Sequence, residues 1–313
     1  MHTRLPAYPM RAREPESEAH GYKRVESLPH ARAGTGRAVR IGRVAGMAHQ
    51  RFSLFPDSPH MRQVFSARSI RARWRNNDPV VTVAIMLVCI ALWIAELLLG
   101  FLAPQLLNGL LQFGMFQPAS AFREPWTFIT SMFLHEPRSI FHILFNMLTL
   151  WAVGPFLERL MGHWAYLVLY AVSGIGGGMG MMVWAALSGN QFNWLTASYG
   201  ASGALFGLFA ACLVVYRKVG EDLRSMLIWM GINFLMPLIT PNIAWQAHLG
   251  GFVVGGLLTL LTIDGVPALR RTSTLVRIGI YGGVFVVIMA VVFAFCNAGN
   301  PALQPMVWTA NLG

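Results

Sequence analysis

Residues 80–102 read VVTVAIMLVCIALWIAELLLGFL. A helix of that length rises about 35 Å, enough to cross a hydrocarbon core roughly 30 Å thick. Similar apolar blocks recur near 141–161, 164–187, 199–216, 224–240, 245–263 and 275–296. Across all 313 residues, 55% are hydrophobic and only 12% are charged, whereas a soluble domain carries roughly 25% charge. The expectation is an all-α integral membrane protein of seven spans.

The net charge of +11 is concentrated before the first span, where 15 of the 24 Lys and Arg residues lie beside six acids. Such an arm at the edge of an apolar block orients the chain by the positive-inside effect, and nucleic acid need not be invoked. Residues 1–79 are rich in Arg, Ser, Pro and Gly without a sustained apolar period. They are expected to form a mostly disordered cytoplasmic arm. No apolar core of a cleavable signal peptide is visible at its start, and the Glu14–Glu18 patch argues against a mitochondrial transit peptide.

Between spans, the short loops alternate in charge. Arg159 follows the second span, Arg217, Lys218 and Arg224 the fourth, and Arg270, Arg271 and Arg277 the sixth. Segments 188–198, 241–244 and 297–313 contain neither Lys nor Arg. The N-terminus is therefore expected in the cytoplasm and the C-terminal tail outside. The longer 103–140 segment mixes Phe113, Phe116, Phe122, Trp126 and Phe128 with Pro and Gly, which suits an outer interfacial loop. Cys89, Cys212 and Cys296 all sit in apolar blocks without a ligand spacing, so neither disulfides nor a metal centre nor any cofactor is expected.

A polar side chain inside a span is costly and marks a candidate site. Gly200-Ala201-Ser202-Gly203 opens the fourth span, with glycines that leave the hydroxyl uncrowded. His248 stands about one turn into the sixth span, with Gly251 and Gly255 on the same helical face. His142 and Asn146 project together from the start of the second span, and both can donate hydrogen bonds. The second, fourth and sixth spans run in one direction, so a nucleophile, a base and two donors fall in one membrane layer. The glycine-rich run Ser173–Gly180 lacks the Lys of a phosphate loop and reads as a surface for close helix packing.

Together, Gly200-x-Ser202-Gly203, His248-x-x-Gly251-x-x-x-Gly255, His142-x-x-x-Asn146 and the Glu158-Arg159 pair resemble the rhomboid family of intramembrane serine proteases. The likeness covers about 80–265 as a six-span core, and the seventh span resembles a helix appended in some members. What the resemblance implies is a dyad of Ser202 as nucleophile and His248 as base, with no acidic third member. It further implies an oxyanion hole from His142, Asn146 and the Ser202 N–H. Gly200, Gly203, Phe206, Gly251, Gly255, Trp126, Glu158 and Arg159 would shape the surroundings, Phe206 fixing the plane of His248. One departure is Thr127 after Trp126, where the family commonly has Arg.

Other classes fit less well. His135-Glu136 does not continue as HExxH, paired intramembrane aspartates are absent, and the sequence suggests neither the inverted repeat nor the midplane charge of a transporter. The remaining alternative is an inactive rhomboid-like adaptor that binds transmembrane helices. The expected partners are the lipid bilayer and transmembrane protein substrates whose helices carry Gly or Pro near their outer ends. The expected location is a bacterial cytoplasmic membrane.

Overall fold

The computed structural model describes residues 66–220, 224, 227, 228, 231 and 244–304. The described residues form α1 (Ala67–Arg75), α2 (Val80–Leu102), α3 (Pro104–Gly114), α4 (Thr127–Thr130), α5 (Ile140–Met161), α6 (His163–Leu187), α7 (Phe192–Leu195), α8 (Ser202–Val219), α9 (Trp245–Asp264) and α10 (Thr274–Asn297). Six of these, α2, α5, α6, α8, α9 and α10, are long and apolar enough to cross a membrane. Among the described residues the regular elements are all helices, and the chain is a multi-pass integral membrane protein. The expected fifth span, 224–240, lies outside the described residues apart from four helical positions.

The centre is built on missing side chains. A methyl group on Gly251 would be driven into the Gly203 carbonyl, and one on Gly255 would meet the Gly207 Cα at 2.5 Å. On the other flank, a methyl at Gly177 would lie 3.0 Å from the Ala247 carbonyl, and one at Gly250 would lie 2.9 Å from the Gly180 Cα. Helices α6, α8 and α9 therefore touch backbone to backbone along the faces that carry these glycines. Close packing of this kind, together with polar contacts, holds helices together where lipid is as apolar as the side chains it would replace. The two outer spans differ: α2 and α10 leave most of their surface uncovered, with Leu98, Phe101, Val287 and Phe295 all exposed. On a membrane span such residues face lipid, so the exposure is no defect.

Two features bear on the expectations. First, α1 occupies the last turns of the arm expected to be mostly disordered, and residues 1–65 lie outside the described residues. Ser66 caps that helix by accepting from the Ser69 N–H at 3.2 Å. The Trp74 ring packs tilted against His163 at a centroid distance of 4.0 Å, and its carbonyl faces His163 Nε2 at 3.0 Å. A nine-residue helix is marginal alone, and this docking supplies what its sequence lacks. Second, Glu158 and Arg159 do not neighbour the Ser202 end of the bundle. They close α5 at the other end, roughly 24 Å along the helix from His142. There Glu158 is fully buried and accepts from the Val81 N–H, the Thr82 N–H, the Thr82 hydroxyl and His163 Nδ1 at 2.6–2.8 Å. Its role is to tie the starts of α2 and α6 to the end of α5.

Candidate active site

Helix α8 begins at Ser202 rather than at 199, because Gly200 sits at φ +129° and breaks the helical path. The left-handed conformation is open to glycine and strained for other residues. Two consequences follow for Ser202. Its backbone N–H belongs to a first turn, where such groups have no acceptor within the helix. It also stands at the positive end of the helix dipole, which favours a developing negative charge.

His248 lies in the first turn of α9, pressed towards α8 by the glycine contact below it. Its Nε2 is 2.9 Å from Ser202 Oγ. For the hydroxyl to donate there, the imidazole proton must be on Nδ1, which is buried and has no hydrogen-bond partner among the described residues. Phe206, one turn beyond Ser202, stacks on the imidazole with centroids 4.3 Å apart and planes 17° from parallel. The ring is thus held by packing on its face and by one hydrogen bond at its edge.

His142 approaches from α5. Its Nδ1 accepts the Glu136 N–H at 3.1 Å, and a main-chain amide can only donate. Nδ1 is therefore bare and the ring proton sits on Nε2. A methyl group at Gly200 would lie 2.8 Å from His142 Nε2 and 3.9 Å from Ser202 Oγ. The glycine keeps open the space onto which both atoms face. Asn146 is one turn further along α5, buried, and its Nδ2 gives one proton to the His142 carbonyl at 2.8 Å. The second amide proton is not used by that bond.

Loops brace this corner. Phe116 and Ser198 exchange backbone hydrogen bonds at 2.8–2.9 Å, and the Gly200 N–H donates to the Ser131 carbonyl at 2.8 Å. Trp126 donates from Nε1 to the Phe113 carbonyl at 2.9 Å, and Thr127 turns its hydroxyl back to the Glu124 carbonyl at 2.6 Å. The buried Thr127 thus serves its own turn. Asn300, just after α10, also reaches this loop, its Nδ2 donating to the Ala119 carbonyl at 3.2 Å.

The Rhomboid domain model matches residues 123–265. The putative rhomboid protease YdcA of Bacillus subtilis is 37% identical over 146 residues, which is 45% of this chain and 69% of that protein. This chain belongs to the rhomboid family. The rhomboid protease AarA of Providencia stuartii is 26% identical over 234 residues, covering 67% of this chain and 82% of AarA. Rhomboid-type serine protease 2 of Emericella nidulans is 34% identical over 167 residues, 50% of this chain but only 31% of that protein.

One buried acid of this rhomboid escaped the sequence reading. Glu96, inside α2 and fully buried, accepts the His135 N–H at 3.1 and 3.4 Å. An acid within an apolar span was itself a sufficient signal. His135 beside it is pushed down to about 3, first by burial and then by the neighbouring His142, so it remains neutral near pH 7. The pairing of Glu136 with Tyr199 was also missed, since Glu136 lies in the interfacial loop and Tyr199 only at the edge of the expected 199–216 span.

Proposed function

We propose that this chain is an intramembrane serine endopeptidase that hydrolyses peptide bonds in or near the transmembrane segments of other membrane proteins. The observation that carries this reading is the 2.9 Å approach of His248 Nε2 to Ser202 Oγ, beneath a stacked Phe206. A serine is a weak nucleophile until a base takes its proton.

Ser202 Oγ attacks the scissile carbonyl carbon while its proton passes to His248 Nε2. The oxygen of the tetrahedral intermediate receives hydrogen bonds from the Ser202 N–H and His142 Nε2–H, with Asn146 Nδ2 as a further donor. When the C–N bond breaks, His248 returns the proton to the leaving amine. Water then enters, and His248 takes a proton from it as the water oxygen attacks the acyl carbon. His248 returns that proton to Ser202 Oγ as the ester bond breaks, releasing the carboxylic acid product. The imidazole changes proton holder without an acidic third residue, its plane fixed by Phe206.

The alternating charge of the loops supports a basic cytoplasmic arm and a Ser202 end facing the outer side of a bacterial cytoplasmic membrane. A site near that surface has access to water. Suitable substrates carry Gly or Pro near the outer end of a single span, where a helix unwinds at low cost.

The test uses purified protein in detergent with a model single-span substrate, beside Ser202→Ala and His248→Ala. Cleavage by the parent alone is the expected result. Cleavage retained by Ser202→Ala would overturn the assignment, and a parent that neither cleaves nor reacts with a fluorophosphonate would favour a helix-binding adaptor.

A further inference from the structure

Tyr199 and Glu136 come from separate loops, one leading into α8 and the other into α5. Tyr199 precedes Ser202 by three residues, and Glu136 precedes His142 by six. The Tyr199 hydroxyl donates to Glu136 Oε2. Every other polar atom of Glu136 is also engaged. Its Oε1 accepts the Arg138 N–H at 3.1 Å, its carbonyl accepts Trp93 Nε1 at 3.2 Å, and its N–H donates to His142 Nδ1 at 3.1 Å. The Tyr199 ring meets the His142 ring edge-on at 6.2 Å and 65°. Both partners are half-buried, where a bond to a carboxylate is stronger than one in water.

We infer that the Tyr199–Glu136 pair is a latch that positions His142. It holds the Glu136 amide against Nδ1, so the imidazole proton stays on Nε2 and that N–H faces the space beside Gly200 and Ser202. Tyr199 and Glu136 are positioning residues, because neither touches the reacting atoms. The pair also joins the loop carrying the nucleophile to the loop that sets the donor, so the two sides of the site move as one. This inference rests on the proposed roles of Ser202 and His142.

A latch and a simple staple between loops predict different things. A staple would lower thermal stability and act regardless of His142. A latch acts through His142 and on the transition state, where a displacement of about 1 Å can cost up to ~10²-fold. Tyr199→Phe is expected to lower kcat about tenfold with KM within about twofold, and with little change in melting temperature. Glu136→Gln keeps both the amide N–H and an acceptor for the phenol, and is expected to stay near the parent, whereas Glu136→Ala matches Tyr199→Phe. In a His142→Ala background, Tyr199→Phe should have no further effect. A parental kcat in Tyr199→Phe, or the same loss in the presence and absence of His142, overturns the latch.

Nitrogen NMR of histidine-labelled protein adds a reading that needs no activity. His142 is expected as the Nε2–H tautomer in the parent and as a mixture of tautomers in Tyr199→Phe. An identical tautomer in both rejects the latch even if the peptidase assignment stands. The expected tautomer change in a protein without cleavage would instead fault the assignment and leave the latch.

Discussion

The two ends of α5 carry two polar residues treated in opposite ways. At one end Glu158 has both carboxylate oxygens doubly occupied, by the main chain and hydroxyl of α2 and by His163. At the other end His142 has one nitrogen held by a main-chain amide and the second turned to the space beside Gly200. Burial of a polar group is tolerated when its partners are supplied. Glu158 has all its partners and so is a fastener. His142 is fixed but incomplete, and an incomplete donor beside a serine hydroxyl is available to a charge that appears only during a reaction.

The sharpest break of this contrast lies next to the His142 end. His248→Ala is expected to reduce kcat by at least about 10³-fold, as loss of one member of a nucleophile–base unit does, while the protein keeps its melting temperature. A stability loss of several degrees would mean that His248 is a packing residue. At the other end, Glu158→Ala strands two main-chain amides, a hydroxyl and His163. About 3–5 kcal/mol of stability should be lost, since several buried hydrogen-bonding groups lose their partner at about 1–3 kcal/mol each, with kcat per folded molecule unchanged. Thermal unfolding combined with active-site titration separates those quantities.

His142→Ala sharpens the comparison from the open side. One oxyanion donor is worth on the order of 10²-fold in kcat, and KM should hardly move. If KM rises and kcat does not, His142 binds substrate in its ground state. The smallest effect is expected at Lys218, whose ammonium contacts Asp264 at 2.7 and 2.9 Å between the ends of α8 and α9. The pair is about half exposed, so Lys218→Ala should cost about 0.5 kcal/mol or less. A larger loss in denaturant unfolding would show that this contact organises the helix pair.

Much of this was legible because membranes impose strict rules on sequence. Span length alone located α2, α5, α6, α8, α9 and α10 within a few residues. The small-residue face of Gly251 and Gly255 was readable as a place of close helix approach, but not which helix it meets; the structure sets it against α8. Ser202, His248 and His142 stood out because polar groups at matching depths are costly without a purpose. What stayed hidden depends on tertiary partners. Helix α1 exists through Trp74 meeting His163, a residue 89 positions away, and no local periodicity encodes that contact. The bond between Tyr199 and Glu136 joins loops 63 positions apart and has no signature in either. Glu96 differs, since an acid in an unbroken apolar run was visible and was passed over.

The central claim is that His248 activates Ser202. Its most direct measurement is labelling of the purified protein by a fluorophosphonate, with the modified residue located by mass spectrometry. The account predicts modification of Ser202 in the parent, a rate at least about 10²-fold lower in His248→Ala, and no labelling in Ser202→Ala. Equal labelling rates in the parent and His248→Ala, or modification at a different serine, would contradict it.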